Sequence, residues 1–295
     1  MSSGIAHGAT HIKVDCMFKQ ELKAFSTWLF ALLLGLSFAG AQAAPEKVVF
    51  VTPKIAHPLP FKIGETLLYE VTFSKLIFSG TIGELKLTAS RPDFSLDASM
   101  AELIELKAEA VSKGFFPALF GLKVRDRYIS IVSQTDFGVQ TSTKLLEEGK
   151  ARREQKTEIN RETGRVTYTD RDLALEKSAP KVKENPSPTW VQDLLSTIYF
   201  VRTQPLNEGD IVPIPISDGG EVYNIEVVVG KHAEIKTSAG KFKAILVNAK
   251  VFDGRYVKRS GEMLVWITED AARIPVHARI KTSGATITVD LKRML

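Results

Sequence analysis

The sequence predicts an all-β protein: an antiparallel meander of about a dozen strands forming a barrel, half-barrel or sandwich, with one amphipathic helix near 188–203. Three observations predict it. Beyond residue 66 most segments alternate apolar and polar residues, a period of two that sets one sheet face on a core and the other in water. Short turn-forming pairs separate them, including Gly219-Gly220, Ala239-Gly240, Asp253-Gly254 and Ser283-Gly284, and such short connections favour antiparallel neighbours. One stretch alone repeats convincingly at helical spacing. So many strands in one twisted sheet curl or split into two packed layers.

The elements follow in order. Thr66–Phe73 is rich in β-branched and aromatic residues. Gly80–Ala89 sets Gly83, Leu85, Leu87 and Ala89 against Glu84, Lys86 and Thr88. Leu103–Ala110 sets Ile104, Leu106, Ala108 and Ala110 against Glu105, Lys107 and Glu109. Arg127–Ser133, Gln140–Leu146, Arg152–Asn160 and Arg165–Asp170 continue the pattern, the last two joined by a turn at 161–164. Residues 176–188 carry three prolines and few large apolar residues, and read as a linker. The helix comes next. Ser187 can cap it and Pro188 suits its first position. Trp190, Val191, Leu194, Leu195, Ile198 and Tyr199 form one broad apolar face, and Pro205 ends it. Strands resume at Val222–Val229, His232–Thr237, Phe242–Val251, Val257–Thr268, Pro275–Thr282 and Ala285–Arg293. Residues 59–295 form a single β-rich domain, preceded by an extension at 44–58. Trp190 and Trp266 are expected in its core.

Residues 24–43 predict export. Lys19 and Lys23 precede a short apolar run, Trp28–Phe38, which ends in Ala41-Gln42-Ala43. A basic start, an apolar centre too short to span a bilayer and a small-x-small exit describe a signal peptide, residues 1–43, cut between Ala43 and Ala44. Residues 1–16 fit that pattern poorly, so Met17 is the predicted true start. Cys16, the single cysteine, lies before the cut, which leaves a cysteine-free chain suited to an oxidising compartment. No cysteine follows the apolar run to carry lipid. The expected location is periplasmic, with no stable membrane span after cleavage. The alternative is a chain anchored by an uncleaved N-terminal segment.

Composition narrows the class further. The 295 residues are 44% hydrophobic and 25% charged, which excludes a disordered tail, a collagen-like repeat and a disulfide-stapled miniprotein. A chain of this length buries roughly 70% of its unfolded surface and needs no metal or disulfide to fold. The net charge of +5 comes from 39 basic and 34 acidic residues, largely interleaved, so no nucleic-acid partner is predicted. The densest basic cluster, Lys150–Lys156, is broken by Glu154.

The motifs of catalysis are missing. His57, His232 and His277 are the histidines after the cut, and they form no zinc-binding spacing with one another. There is no Gly-x-Ser-x-Gly elbow, phosphate loop or dinucleotide fingerprint, so neither catalytic residues nor a cofactor are predicted. Two groups stand out instead. Asp193, Ser196, Tyr199 and Arg202 recur at spacings of three along one side of the helix. They read either as a polar rim over a cavity, with Arg202 meeting an anionic head group, or as a network pinning the helix to the sheet; the second is the commoner use. Phe115, Phe116 and Phe120, bounded by Gly114 and Gly121, read either as a hydrophobic lip facing lipid or a partner, or as a plug folded into the core, where large apolar residues usually go.

Several stretches carry a resemblance. Pro60-Phe61-x-x-Gly64-Glu65-x-Leu67-x-Tyr69 is one. Asp193-Leu194-x-Ser196-x-x-Tyr199-x-x-Arg202-x-x-Pro205-Leu206-x-x-Gly209 is a second. Thr237-x-x-Gly240-x-Phe242-x-Ala244, followed by Trp266-x-x-x-Asp270-x-x-x-x-Pro275-Val276, is a third. Together they resemble the opening strand, central helix and C-terminal strands of an exported bacterial family known as domain of unknown function 3108, over about residues 58–293. The resemblance implies a periplasmic β-rich protein and assigns no catalytic residue. The expected function is non-enzymatic binding of an apolar or amphipathic envelope molecule, such as a lipid, in a β-lined cavity. The alternatives are a structural or interaction module of the cell envelope and, less favoured, a cell-wall polymer hydrolase.

Overall fold

Alternation organises the chain into one sheet. The computed structural model describes residues 55–76, 78–93, 102–121, 123–175, 179–252, 261–282 and 284–295. The predicted leader, Met17 and the cleavage point between Ala43 and Ala44 lie outside these residues. The first arm of the sheet holds β1 (Thr66–Lys75), β2 (Phe78–Ser90), β3 (Leu103–Ser112), β4 (Arg125–Ser133), β5 (Val139–Glu148), β6 (Ala151–Asn160), β7 (Arg165–Asp172) and β8 (Lys181–Pro186). The second holds β9 (Ile211–Asp218), β10 (Glu221–Thr237), β11 (Gly240–Ala249), β12 (Gly261–Thr268), β13 (Pro275–Thr282) and β14 (Ala285–Met294). A short helix α1 (Phe115–Phe120) joins β3 to β4, and α2 (Leu194–Arg202) lies between β8 and β9.

Every strand pairs antiparallel with its neighbour in sequence, with one exception. β1 pairs with β14, from Leu67↔Met294 to Ser74↔Thr286, and joins the two arms into a 14-stranded sheet whose outer strands are β8 and β9. The buried residues alternate as predicted: Leu67, Tyr69, Val71 and Phe73 on β1 face the core, as do Leu85, Leu87 and Ala89 on β2. A bulge opposite Val71 and Thr72 lets both Ile82 and Gly83 turn inward.

Three elements differ from the sequence reading. The predicted linker contains β8, a strand exposed along its length except at half-buried Asn185, so it carries no burial pattern for the sequence to show. β9 was hidden by Pro213 and Pro215. Both prolines sit where the backbone points away from β10, so the missing N–H groups cost the β9–β10 ladder nothing. The helix begins at Leu194, not at Pro188. The chain bends at Trp190 and runs extended through Val191 and Gln192 instead. Val191 accepts a backbone bond from Val139 (3.0 Å), and Gln192 bridges β9 through Pro215 and Ser217 (2.8 Å each). Asp193 supplies the cap: its carboxylate accepts from Ser196 N (2.7 Å), while Ser196 Oγ accepts from Asp193 N (2.8 Å).

α2 is buried nearly all round. Leu195, Ser196, Thr197, Tyr199, Phe200, Val201 and Arg202 are all withdrawn from solvent, where the sequence suggested one apolar face. A helix with that burial lies inside the protein. The curved sheet wraps it, with Phe200 edge-on to Trp190 (5.1 Å between ring centres) and Tyr199 edge-on to Phe61 (5.0 Å). Trp190 and Trp266 are core residues. Among the described residues no helix is long and apolar enough to cross a membrane.

Candidate functional site

The inner face changes character along its own rungs. From β1 to β6 one rung reads Leu67, Leu87, Ala108, Tyr128, Lys144, Gln155. The next reads Ala89, Leu106, Ser130, Ser142, Thr157, Tyr168 from β2 to β7. Aliphatic side chains give way to polar ones at β4. Over this polar wall lie the N-terminus of α2 and the tip of the β9–β10 hairpin.

Between them is a small pocket of about 10 Å³, the room of roughly one water molecule. Tyr128, Ser130, Ser142 and Lys144 come from the sheet, Asp193, Leu194 and Leu195 from α2, and Asp218 from the hairpin. Lys144 forms a buried ion pair with Asp218 and stands 5.7 Å from the centre of the Tyr128 ring. The hairpin reaches this place because its tip is glycine. At Gly220 (φ 84°) a Cβ would lie 2.8 Å from Cβ of Tyr168. The carbonyl of Gly220 accepts from Asn185 Nδ2 on β8 (2.8 Å), so the tip also spans the seam between the outer strands.

The polar groups are held tightly. Ser130 donates to Asp193 (2.6 Å), whose second oxygen caps α2. Gln155, only 5% exposed and directly opposite Lys144, keeps an Oε1 with no hydrogen-bond partner among the described residues. Asp126 lies farther along β4. Burial, then repulsion from Glu148, pushes its carboxyl up to about 7, against the opposing N–H of Glu147. Burial likewise raises the Tyr128 hydroxyl, helped by the negative charges of Asp126 and Asp218. This arrangement offers hydroxyls, an amide and a balanced charge pair. The carboxylate nearest a serine is spent on a helix cap, and Lys144 is paired. The chemistry is that of holding polar groups in place.

The predicted helix set divides. Asp193 and Ser196 form the cap at the pocket. Tyr199 is fully buried, its hydroxyl lacks a partner among the described residues, and burial raises it above the ordinary range, with Glu65 adding to the effect. Arg202 is 1% exposed and makes a two-pronged bond to Glu65 (2.6 and 2.8 Å), with a further bond to the Ala272 carbonyl (2.9 Å). Its guanidinium also stacks over Phe61 (5.1 Å) and Tyr199 (5.3 Å). Glu65 thus occupies the place suggested for an anionic head group, and Arg202 ties α2 to the segment entering β1.

The other sequence candidates lie apart. Phe115 stands in solvent, 72% exposed, instead of folding into the core, and the side chains of Phe116 and Phe120 fall outside the description. His232 bonds Glu269 (2.8 Å) and His277 bonds Asp290 (2.7 Å), each with its own carboxylate on the second arm. Among the described residues no group of three His, Cys, Asp or Glu is placed to hold a metal. Lys144, Gln155 and Asp218 escaped the sequence reading. A signal existed: Ser142, Lys144 and Leu146 alternate in the inward phase of β5, but a polar residue in that phase looks like the outer face of a strand.

The fold and site can be set beside known proteins. No curated protein matches the chain. A β-barrel-like protein of domain of unknown function DUF1849 from Brucella abortus shares 9% identity, over 79% of this chain and 97% of that one, with a TM-score of 0.52. That likeness is one of fold. A Bacteroides fragilis protein with a YmcC-like fold shares 10% identity over 80% and 98% of the two chains, with a TM-score of 0.28. The family described as protein of unknown function DUF3108 matches residues 68–292, from β1 to β14 and across the whole polar wall. The chain therefore belongs to the DUF3108 family.

Proposed function

We propose that this protein is a non-enzymatic periplasmic component of the cell envelope that holds an amphipathic molecule, such as a lipid, inside its curved sheet. The observation that carries the reading is the two-sided interior. Aliphatic rungs on β1 to β3 continue into a buried wall of Tyr128, Ser130, Lys144 and Gln155. Buried polar groups cost free energy unless they are bonded, so a protein keeps such a wall where a polar partner meets it. The polar part of a ligand would meet the pocket under α2, and its apolar part would follow the rungs toward β1. The seam between β8 and β9 supplies a route. It is spanned by side-chain and turn contacts, Lys144 to Asp218 and Asn185 to Gly220, rather than by a strand ladder. The predicted leader at residues 1–43 supplies the compartment.

Native mass spectrometry of the gently purified protein tests this. A bound amphipathic mass, lost in Lys144→Met, is expected. Repeated recovery of the bare protein after incubation with envelope lipid extract would sink the reading. The second reading, a structural module, is favoured by how fully aromatic side chains from α2 and the sheet pack the described interior. It predicts that bare protein.

A further inference from the structure

The two ends of the sheet are unlike. The meander puts the β1–β2, β3–β4, β5–β6, β7–β8, β9–β10, β11–β12 and β13–β14 connections at one end. Among their described residues are Lys113, Lys123, Lys150 and Lys250, all exposed, and no acidic residue. The connections at the opposite end expose Asp93, Glu102, Glu162, Glu208, Glu269 and Asp270, against one exposed base, Arg91.

The two apolar side chains that stand farthest into solvent, Leu76 (91% exposed) and Phe115 (72%), are both at the lysine end, where Leu175 (60%) joins them; the acidic end exposes Ile63, Ile211, Met294 and Leu295 to a lesser degree. Leu76 turns the β1–β2 connection with φ 53°, a left-handed conformation that glycine or asparagine would adopt more readily. Phe115 is presented by a clamped backbone. Lys113 N bonds the Ile82 carbonyl (3.0 Å), and at Gly114 (φ 110°) a Cβ would lie 2.5 Å from the Thr81 carbonyl oxygen. Only glycine fits there, so α1 is pressed against β2, the strand that follows Leu76. Lys123 and Lys150 sit on connections joined by a bond from Gly149 N to the Lys123 carbonyl (2.8 Å).

We propose that this end docks on an anionic lipid surface. Leu76 and Phe115 enter the interfacial layer, and the lysines meet lipid phosphates. Apolar tips ringed by lysine are the chemistry by which a protein lies on a charged bilayer without spanning it. The acidic far end, repelled by the same surface, sets the orientation. This does not rest on what the interior holds.

Vesicle flotation tests it, using protein whose N-terminus has been read by mass spectrometry. Binding is expected to vesicles of phosphatidylethanolamine with phosphatidylglycerol, and to weaken as salt rises. Leu76→Asp with Phe115→Asp should lower partitioning by about tenfold or more. Lys123→Glu with Lys150→Glu, in exposed turns, should do so by at least about tenfold at low salt. Ile211→Asp, at the opposite end, should change nothing. Equal binding to pure phosphatidylcholine vesicles, no flotation at all, or undiminished binding by both double variants would overturn the proposal. The lysine pair keeps the test decisive if the Leu76 and Phe115 variant fails to fold.

Discussion

Two buried ion pairs flank α2, and they are built differently. At its C-terminal end Arg202 and Glu65 bond through two parallel contacts, roofed by Phe61 and Tyr199. At its N-terminal end Lys144 and Asp218 meet beside a pocket edged by hydroxyls. The first pair is surrounded by apolar groups and fixes one geometry, because a guanidinium fork matches a carboxylate in one plane. The second joins a strand to a hairpin across the seam, with other polar groups in reach. The contrast teaches that charge inside this sheet has two uses: fastening the helix at one end, and maintaining a polar place at the other.

The largest effect is expected from breaking the fastened pair. Arg202→Ala leaves Glu65 half-buried without its partner in an apolar setting, and should cost about 3–5 kcal/mol in urea unfolding. Arg202→Lys should recover only part of it, since an ammonium cannot make both bonds. A loss below about 1 kcal/mol would erase the distinction between the pairs.

Lys144→Met should cost less, roughly 2–3 kcal/mol, because the pocket leaves Asp218 other polar neighbours. Adding Asp218→Asn should restore most of that stability, and a double-mutant cycle would measure the coupling. Failure of the second change to rescue the first would show that Asp218 is held by more than Lys144.

Asp126 sharpens the polar side through pH. Its carboxyl ionises near 3.8 when unfolded and is pushed up to about 7 by burial and Glu148. The folded state therefore favours the protonated acid. The stability from this group is fully present below about pH 4 and is lost as pH rises through 7. A decline of roughly 2 kcal/mol between pH 5 and pH 8 is expected from this site. Asp126→Asn should flatten that part of the profile, and an unchanged slope would remove Asp126 from the account. The smallest effect is at Ser130. Removing its hydroxyl from Asp193 in Ser130→Ala should cost about 1 kcal/mol, with the helix cap preserved.

The strands β1 to β7 of the first arm were legible because burial on one face imposes a period of two that survives in the sequence, as at Leu103–Ala110. The merging of Val222–Val229 and His232–Thr237 into β10 was not, since the Gly230-Lys231 interruption is absorbed as a register shift in the ladder with β11. The helix was visible in its apolar residues but its start was misplaced: Ser187 and Asp193 are both good caps, and the choice fell to Asp193 because Gln192 is held extended against β9. The candidate site was least legible. Lys144 and Gln155 look like solvent-facing residues until their strands are placed inside a curved sheet.

By itself the sequence determined an all-β meander, one helix near its middle and the residues that carry the aliphatic rungs, because these depend on local periodicity and turn chemistry. The tertiary structure alone decided three things: that β1 meets β14, that Arg202 faces Glu65 across 137 positions, and that Lys144 reaches Asp218 across 74. Each brings together side chains far apart in the chain, and the cost of closing those loops is recovered only when the whole sheet has curled around α2.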